Sequence, residues 1–335
     1  MKKKLAFALA LVMTMGLALT ACGGNNSQDG GGSAGGGSQP SNSAKGGTLT
    51  FTTGGESGTY YAFGSVIAGQ ISDKTGTTVN AIVGAGSKGN IENMDANDAQ
   101  LGFVQSDVMA YAYEGTSLFT EKIDSFSTVA ALYMEQVQII TLNPEIKTVA
   151  DLAGKNVSVG ENGSGVYFNA IDVLTAYDLT LDDINPTYQS FGDSADALQD
   201  GKIDAAFIVA GAPTTAVTAL AATRDVYVVE LDDEHIDKLI AASPYYTKNV
   251  ISKDAYNLDA DATTVAVGAV IIARNDCTED DIYNVCAGIF DSIDTLSHDK
   301  KSELSLEFAA SVTAVPYHSG AAKYFSEKGF TVPTN

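Results

Sequence analysis

Apolar residues in this chain come in short bursts, separated by turns rich in Gly, Ser, Thr and Asn, and the bursts alternate between a period of two and a helical period. The run 48–51 (TLTF) is β-branched and apolar and predicts a strand, and the spacing over 60–74 predicts a helix. The same grammar repeats with strand 79–83, turn 84–87, helix 90–96, strand 100–104 and helix 107–113. Strands alternating with helices at this spacing predict parallel βαβ units, and so one α/β lobe.

A second series starts at 136–142 (QVQIITL). Thr148 is placed to cap a helical turn at VADLAG, and strand 156–159, helix 166–176, strand 187–190, helix 194–199, strand 205–209, helix 213–222 and strand 226–229 follow. These elements predict a second α/β lobe. The run 264–273 (TVAVGAVIIA) is long and extended, and so late in the chain it is best used to cross back to the first lobe; helices at 279–296 and 303–308 come after it. The expected fold is α/β, with lobe 1 over 47–135 and 268–335, lobe 2 over 136–267, and hinge strands between them.

In open α/β sheets the carboxyl ends of the strands, where helices begin, form the ligand crevice. Free backbone N–H groups and the helix dipole make such ends attractive to anions. Two turns are unusually small and hydroxyl-rich: Thr53-Gly54-Gly55-Glu56-Ser57-Gly58-Thr59, and Gly160-Glu161-Asn162-Gly163-Ser164-Gly165 in the second series. Two more, around Gly84 to Asn90 and Val104 to Asp107, open on the same edge of the first sheet. Gly and Ser also serve any strand-to-helix turn for capping and positive φ, so a single such turn says little; four on one edge, matched across two lobes, say more. Tyr60-Tyr61 and Tyr167-Phe168 follow the two main turns, where one aromatic of each pair can close over a ligand while the other packs into its lobe.

Upstream of residue 47 the pattern changes. Lys2, Lys3 and Lys4 precede an apolar stretch over 5–19, and Leu19-Thr20-Ala21-Cys22 places a cysteine after small residues. This is the pattern of a secretory signal over 1–21 with a lipoprotein cleavage box, which leaves the Cys22 thiol to carry a lipid thioether. The apolar stretch falls short of the roughly 20 residues a membrane span needs. Residues 22–46 have almost no apolar side chain to bury and read as a disordered Gly/Ser tether with a reach of roughly 27 Å. The expected location is the outer face of the cytoplasmic membrane, lipid-anchored, as a monomer.

Charge narrows the partners. The chain has 19 Lys and Arg against 41 Asp and Glu; removing 1–21 takes three basic residues and no acidic one, leaving 16 against 41, a net charge of −25. Nucleic acid is excluded as a partner, and anionic lipid is repelled, so the bilayer is reached through the acyl group on Cys22. Beyond Cys22 there are only Cys277 and Cys286, too few for a metal cluster. Thr278 can cap a helix on which Ile282, Cys286 and Ile289 share a face, so Cys286 reads as a small buried apolar residue and a Cys277–Cys286 bond as the lesser alternative.

Nothing in the chain marks catalysis. His235, His298 and His318 are scattered, Gly163-Ser164-Gly165 is not a nucleophile elbow, neither Gly-rich turn continues as Gly-Lys-Ser/Thr, and no HExxH or paired Cys/His set is present. No cofactor or metal is called for.

The segments GGESGTYYAFGSVIA, GAGSKGNIENM, AQLGFVQSDVMAYAYEG, TVADLAGKNVSVGENGSGVYFNAIDVL, LQDGKIDAAFIVAGAP and VPYHSGAAKYFSEKGF, in this order from Gly54 to Phe330, resemble the TAXI receptors of tripartite ATP-independent periplasmic (TRAP) transporters. The resemblance implies a type II periplasmic-binding-protein fold. It also implies a small anionic solute, glutamate, glutamine or a related dicarboxylate such as 2-oxoglutarate, handed to the TRAP membrane subunits. Residue by residue it places Ser87, Asn90 and Gln105 against the solute from the first lobe, with Ser164, Asn169 and Pro213 nearby in the second. The commoner TRAP receptors clamp a carboxylate with an arginine, whereas this chain has only Arg224, expected at a helix end, and Arg274, at the end of the long strand near the hinge. Carboxylate recognition is therefore expected from N–H and hydroxyl donors of Ser57, Gly58, Thr59, Tyr60, Asn162, Gly163, Ser164 and Gly165, with Lys88 either pairing with the solute or facing water. A receptor for an ABC importer, which shares the fold, and a sensory lipoprotein presenting a solute to a membrane kinase are the alternatives.

Overall fold

In a computed structural model, residues 47–334 are described; the expected signal, Cys22 and the tether lie outside the described residues. The first series forms β1 (Leu49–Thr52), α1 (Thr59–Thr75), β2 (Val79–Ile82), α2 (Ser87–Asp95), β3 (Leu101–Gln105) and α3 (Ser106–Glu114). Local chemistry sets the ends: α1 stops at Gly76 and α3 at Gly115, each in the left-handed conformation that glycine adopts without strain.

Next comes β4 (Phe126–Thr141), ten residues earlier in start than the predicted strand. Both faces of this strand are covered, so it carries no polar alternation to announce itself, and Phe126 to Tyr133 are all buried. The second series then gives β5 (Asn156–Ser158), α4 (Gly165–Ala176), β6 (Asn185–Thr187), α5 (Phe191–Gln199), β7 (Ala205–Ala210), α6 (Thr215–Ala221) and β8 (Tyr227–Val228). Thr148 caps its turn as expected, in a reciprocal capping box with Asp151. Residues 188–190, expected in a strand, instead make the turn into α5, and Ser190 caps that helix through the Asp193 N–H.

Two elements without a sequence expectation follow, α7 (Asp233–Ala242) and β9 (Thr247–Ile251), the first capped by Asp232. The long strand is β10 (Ala262–Arg274). After it, α8 (Glu279–Phe290) is capped by Thr278, whose Oγ1 accepts from the Asp281 N–H at 3.1 Å; it ends six residues earlier than its pattern suggested. The short α9 (Leu306–Ala309) and an unforeseen α10 (Ser319–Glu327) finish the chain.

The strands form one mixed sheet in the order β2-β1-β3-β10-β4-β7-β5-β6, with β8 beside β4 and β9 beside β10. The β2-β1-β3 and β7-β5-β6 groups are parallel, as the alternation predicts, while β10 and β4 run antiparallel to each other and to β3 and β7 respectively. Both long strands pass from one group to the other. The outer half of β10 pairs with β3, and Val267 lies opposite Glu135 where the strands cross.

Packing follows the same division. One apolar core gathers α1, α8 and α10 under Phe51, Phe103 and Ile271, and another gathers α2 and α3 on the opposite face. Beyond the crossing, α4 and α7 pack on Val137, Phe207 and Val265, with α5 and α6 on the other face. Each lobe is thus a sheet covered on both sides, which buries the apolar runs that drive its folding. β4 and β10 contribute to all four cores, and Phe168 of α4 reaches across into the core of α2 and α3.

Candidate functional site

The starts of α1, α2 and α4 converge on one small cavity between the lobes, beside the first residue of α5. Residues Ser57, Gly58, Thr59 and Tyr60 at the start of α1, Gly86 and Ser87 at the start of α2, and Ser164 and Gly165 at the start of α4 line it. The cavity encloses about 60 Å³, space for roughly five water-sized groups. The starts of α1 and α2 carry no side-chain cap among the described residues, and the α4 start has only Ser164 accepting a long 3.4 Å bond from the Tyr167 N–H. Amide donors of these first turns are therefore mostly without a capping side chain beside the cavity, each group at the positive end of a helix dipole.

The lobes meet closely here. Gly89 N–H donates to the Gly163 carbonyl at 2.9 Å, Thr59 Oγ1 to the Gly211 carbonyl at 3.1 Å, and Ala216 N–H to the Ser57 carbonyl at 3.3 Å. Such contact requires glycine at two places. A Cβ on Gly165 would lie 1.9 Å from Gln105 Oε1 and 2.7 Å from Ser87 Oγ, and Gly86, at φ +91°, faces the Ser164 Cα.

The floor is Glu135, on β4 at the strand crossing. It is 2% exposed, and the Tyr60 hydroxyl, stacked against Phe103 at 4.6 Å between ring centroids, donates to its Oε2 at 2.6 Å. Burial pushes this carboxyl up to about 8, against the pull of the Tyr60 bond. Beside it, Gln105 is equally buried; its N–H donates to Ser87 Oγ at 3.1 Å, and its side-chain Oε1 has no hydrogen-bond partner among the described residues.

Residues 51–329 match the profile of the NMT1-like family. The chain belongs to the NMT1-like family. Its fold is that of two-lobed periplasmic binding proteins. MatC of Rhodopseudomonas palustris with bound malate aligns over 76% of this chain and 86% of its own, at 15% identity and TM-score 0.52. A Bordetella bronchiseptica RB50 protein aligns over 84% and 80%, at 16% identity and TM-score 0.52. The aliphatic sulphonate binding protein SsuA of Escherichia coli covers 84% and 90% at 17% identity, with a TM-score of 0.44.

Within this NMT1-like chain, the expected site residues divide in two. Ser57, Gly58, Thr59, Tyr60, Ser87, Gln105, Ser164 and Gly165 share the cavity lining. Asn90, Asn162, Gly163, Asn169 and Pro213 are not part of it. Asn90 is fully buried and holds the β1 and β3 ends together, donating to the Thr53 and Phe103 carbonyls at 2.6 and 2.7 Å. Asn169 bonds Asp107 and Tyr246 at 2.9 and 2.7 Å. Pro213 is exposed and Gly163 serves through its carbonyl.

The lining residues with no sequence expectation attached include Glu135, Gln189 and Phe191. Gln189 and Phe191 sit at the carboxyl end of β6, so the rule that found the other turns applies to them as well. Glu135 had a fainter signal, a single acid at the end of an otherwise apolar run from Val129. Of the paired aromatics only Tyr60 lines the cavity, while Phe168 is buried in a core.

The cations stand apart from the cavity lining. Arg274 is opposite Phe126 at the outer end of β10, not near the crossing, and binds Asp276; Arg224 donates to the Gln199 carbonyl at 3.3 Å. Lys88 pairs with Glu92 on its own helix. The histidines also lie elsewhere: His235 stacks on Tyr177, His298 on Phe63, and His318 caps α10. Cys277 and Cys286 are free thiols. Among the described residues no group of His, Cys, Asp and Glu is arranged to hold a metal ion, and no helix is long and apolar enough to cross a membrane.

Proposed function

We propose that this protein is the extracytoplasmic receptor of a TRAP-type secondary transporter, held at the membrane by a lipid on Cys22. It captures a small anionic solute, glutamate, glutamine or a related dicarboxylate such as 2-oxoglutarate, and delivers it to the membrane subunits without turnover. The observation that carries the reading is the convergence of the donor-rich starts of α1, α2 and α4, from both lobes, on a single small cavity. A carboxylate placed there is met by backbone N–H groups and hydroxyls whose dipoles already point inward, which answers the absence of an arginine clamp.

The cycle follows from the two shared strands. A solute docks on one lobe, its charge recruits the helix start of the other, and the lobes close about β4 and β10. A solute larger than the closed space holds the lobes less tightly together than the contacts described above. The fold is shared with MatC, which holds malate, a dicarboxylate.

Because a solute that binds only the folded receptor stabilises it by mass action, a melting-temperature screen against organic acids and amino acids is the deciding experiment. A cognate solute at a hundred times its dissociation constant contributes about 2.7 kcal/mol and raises the melting temperature by about 5 °C. A panel in which no small solute produces a shift overturns the receptor reading. Uptake that requires an ATPase rather than an ion gradient would assign the receptor to an ABC importer instead.

A further inference from the structure

We infer that Glu135 and Gln105 form the specificity-determining seat for an ammonium group, so that the solute is an amino acid rather than the corresponding oxo acid. The inference rests on the receptor reading above and narrows its substrate class. It starts from the two-sided character of the cavity. The helix starts of α1, α2 and α4 supply donors and positive dipole ends, which suit a carboxylate.

The wall made by Glu135 and Gln105 is the reverse. Glu135 Oε2 accepts from Tyr60, and Gln105 Oε1 is a buried acceptor with no donor opposite it. Of the donors on this side, the Tyr60 hydroxyl is directed to Glu135 and the Gln105 backbone N–H to Ser87. A buried acceptor left without a donor is costly, so a solute group that brings N–H bonds is favoured here. An ammonium has three N–H donors and no lone pair, and it also carries the charge that a buried carboxylate lacks. An oxo oxygen carries only lone pairs: it can accept the proton of a neutral Glu135, but it leaves Gln105 Oε1 without a donor.

The charged and titratable groups around Glu135 do not supply that cation. Asp107 adds to the upward push of burial on Glu135, the Tyr60 bond and Lys300 pull it down, and Glu161 lines the same cavity. Lys300 is the nearby base, but its Nζ is bound to Glu303 and to the Ala212 carbonyl at 3.0 Å. Burial holds Glu135 protonated up to about pH 8. When an ammonium arrives, Glu135 gives its proton to solvent and the carboxylate pairs with the solute cation, so binding releases protons and the affinity for an amino acid rises with pH until about 8. For a solute without an ammonium the sign reverses, because ionising Glu135 then opposes binding.

The test is calorimetry with L-glutamate, L-glutamine, 2-oxoglutarate and glutarate between about pH 6 and pH 8, in buffers of differing ionisation heat, on the wild-type protein and Glu135→Gln. The expected result is tighter binding of the amino acids with rising pH, accompanied by proton release. In Glu135→Gln the amino-acid affinity falls about a hundredfold, the proton release disappears, and any affinity for the oxo acid is kept. The proton release in wild type needs no variant, so a poorly folded Glu135→Gln does not remove the test. Binding of 2-oxoglutarate as tightly as glutamate, or amino-acid affinity that survives Glu135→Gln, overturns the ammonium seat while leaving a receptor in place. Failure of every solute to bind overturns both.

Discussion

Asn169 Nδ2 donates to Asp107 Oδ2 at 2.9 Å across the lobe interface, and the other carboxyl oxygen, Asp107 Oδ1, and the amide oxygen, Asn169 Oδ1, are buried with no partner among the described residues. A protonated Asp107 can donate to the amide oxygen while the amide donates back, so a single proton answers both unmet acceptors. Around the pair, Tyr246 donates to Asp172 at 2.9 Å and Tyr111 meets Ser243 at 2.7 Å, which makes this a polar seam between α3 and the second lobe. Burial, and then the Asp172 charge, push Asp107 up to about 7.

That shift sets a pH dependence. Asp107 has a folded-state value above its ordinary one, so the stability its neutral form contributes is fully present below about pH 4 and is lost as pH rises through about 7. Glu135 adds a decline of the same sign that extends to about 8. Asp107→Asn keeps both hydrogen bonds without the proton, so its melting temperature should fall less than wild type between pH 5 and pH 8. Parallel curves for the two proteins would show that Asp107 is ionised in the folded state.

Gly165→Ala tests the closeness of the lobes. The added methyl would meet Gln105 and Ser87 of the opposite lobe, so either Gln105 swings into the cavity or the lobes stay apart. Gly165 opens α4 at an ordinary helical φ, and alanine favours a helix there, so the separated lobes should fold normally. Solute affinity is expected to fall at least about tenfold, a cost of about 1.4 kcal/mol, with circular dichroism unchanged. Undiminished affinity would mean the closed contact is not the binding state.

Arg224→Ala and Arg274→Ala, singly or together, should leave affinity within about threefold, since exposed pairs and carbonyl contacts contribute under about 1 kcal/mol. Arg274 holds Asp276 and Arg224 holds a carbonyl on α5, both away from the cavity lining. A hundredfold loss in titration calorimetry from either variant would restore an arginine clamp.

Thiol labelling should distinguish the two cysteines of the body. Burial pushes Cys277 up to about 11 and Cys286 further, and Cys286 is wholly buried on the inner face of α8. Cys277 is expected to react slowly in the folded protein and Cys286 only after unfolding, with no change in melting temperature on adding reductant. Recovery of neither thiol without reductant would indicate a disulfide.

The alternation of apolar bursts and small-residue turns made the two parallel groups legible, because strand and helix periods are local properties of ten or so residues. The turns at Ser57 and Ser164 were legible for the same reason, since hydroxyl-rich loops at strand ends report their own geometry. The outer half of β4 was not, because a strand covered on both faces loses the alternation that marks a strand. Asn90 and Asn169 belonged to the right turns and helices, yet only packing decided that their amides would tie strands and lobes together rather than face the cavity.

Sequence by itself determined the α/β class, the acidic charge, the lack of a recognised catalytic motif and the donor-rich turns, all of which depend on residue type and short spacing. Tertiary structure alone decided that Glu135 joins Gln105 and Gly165 in one cavity, for it lies on β4, away from the turns at the end of β3 and the start of α4, and no local pattern links it to them. The physical reason is that β4 and β10 run through both lobes: where the long strands cross, residues distant in sequence are brought within a side chain's length, and burial there turns an ordinary glutamate into a proton-holding group.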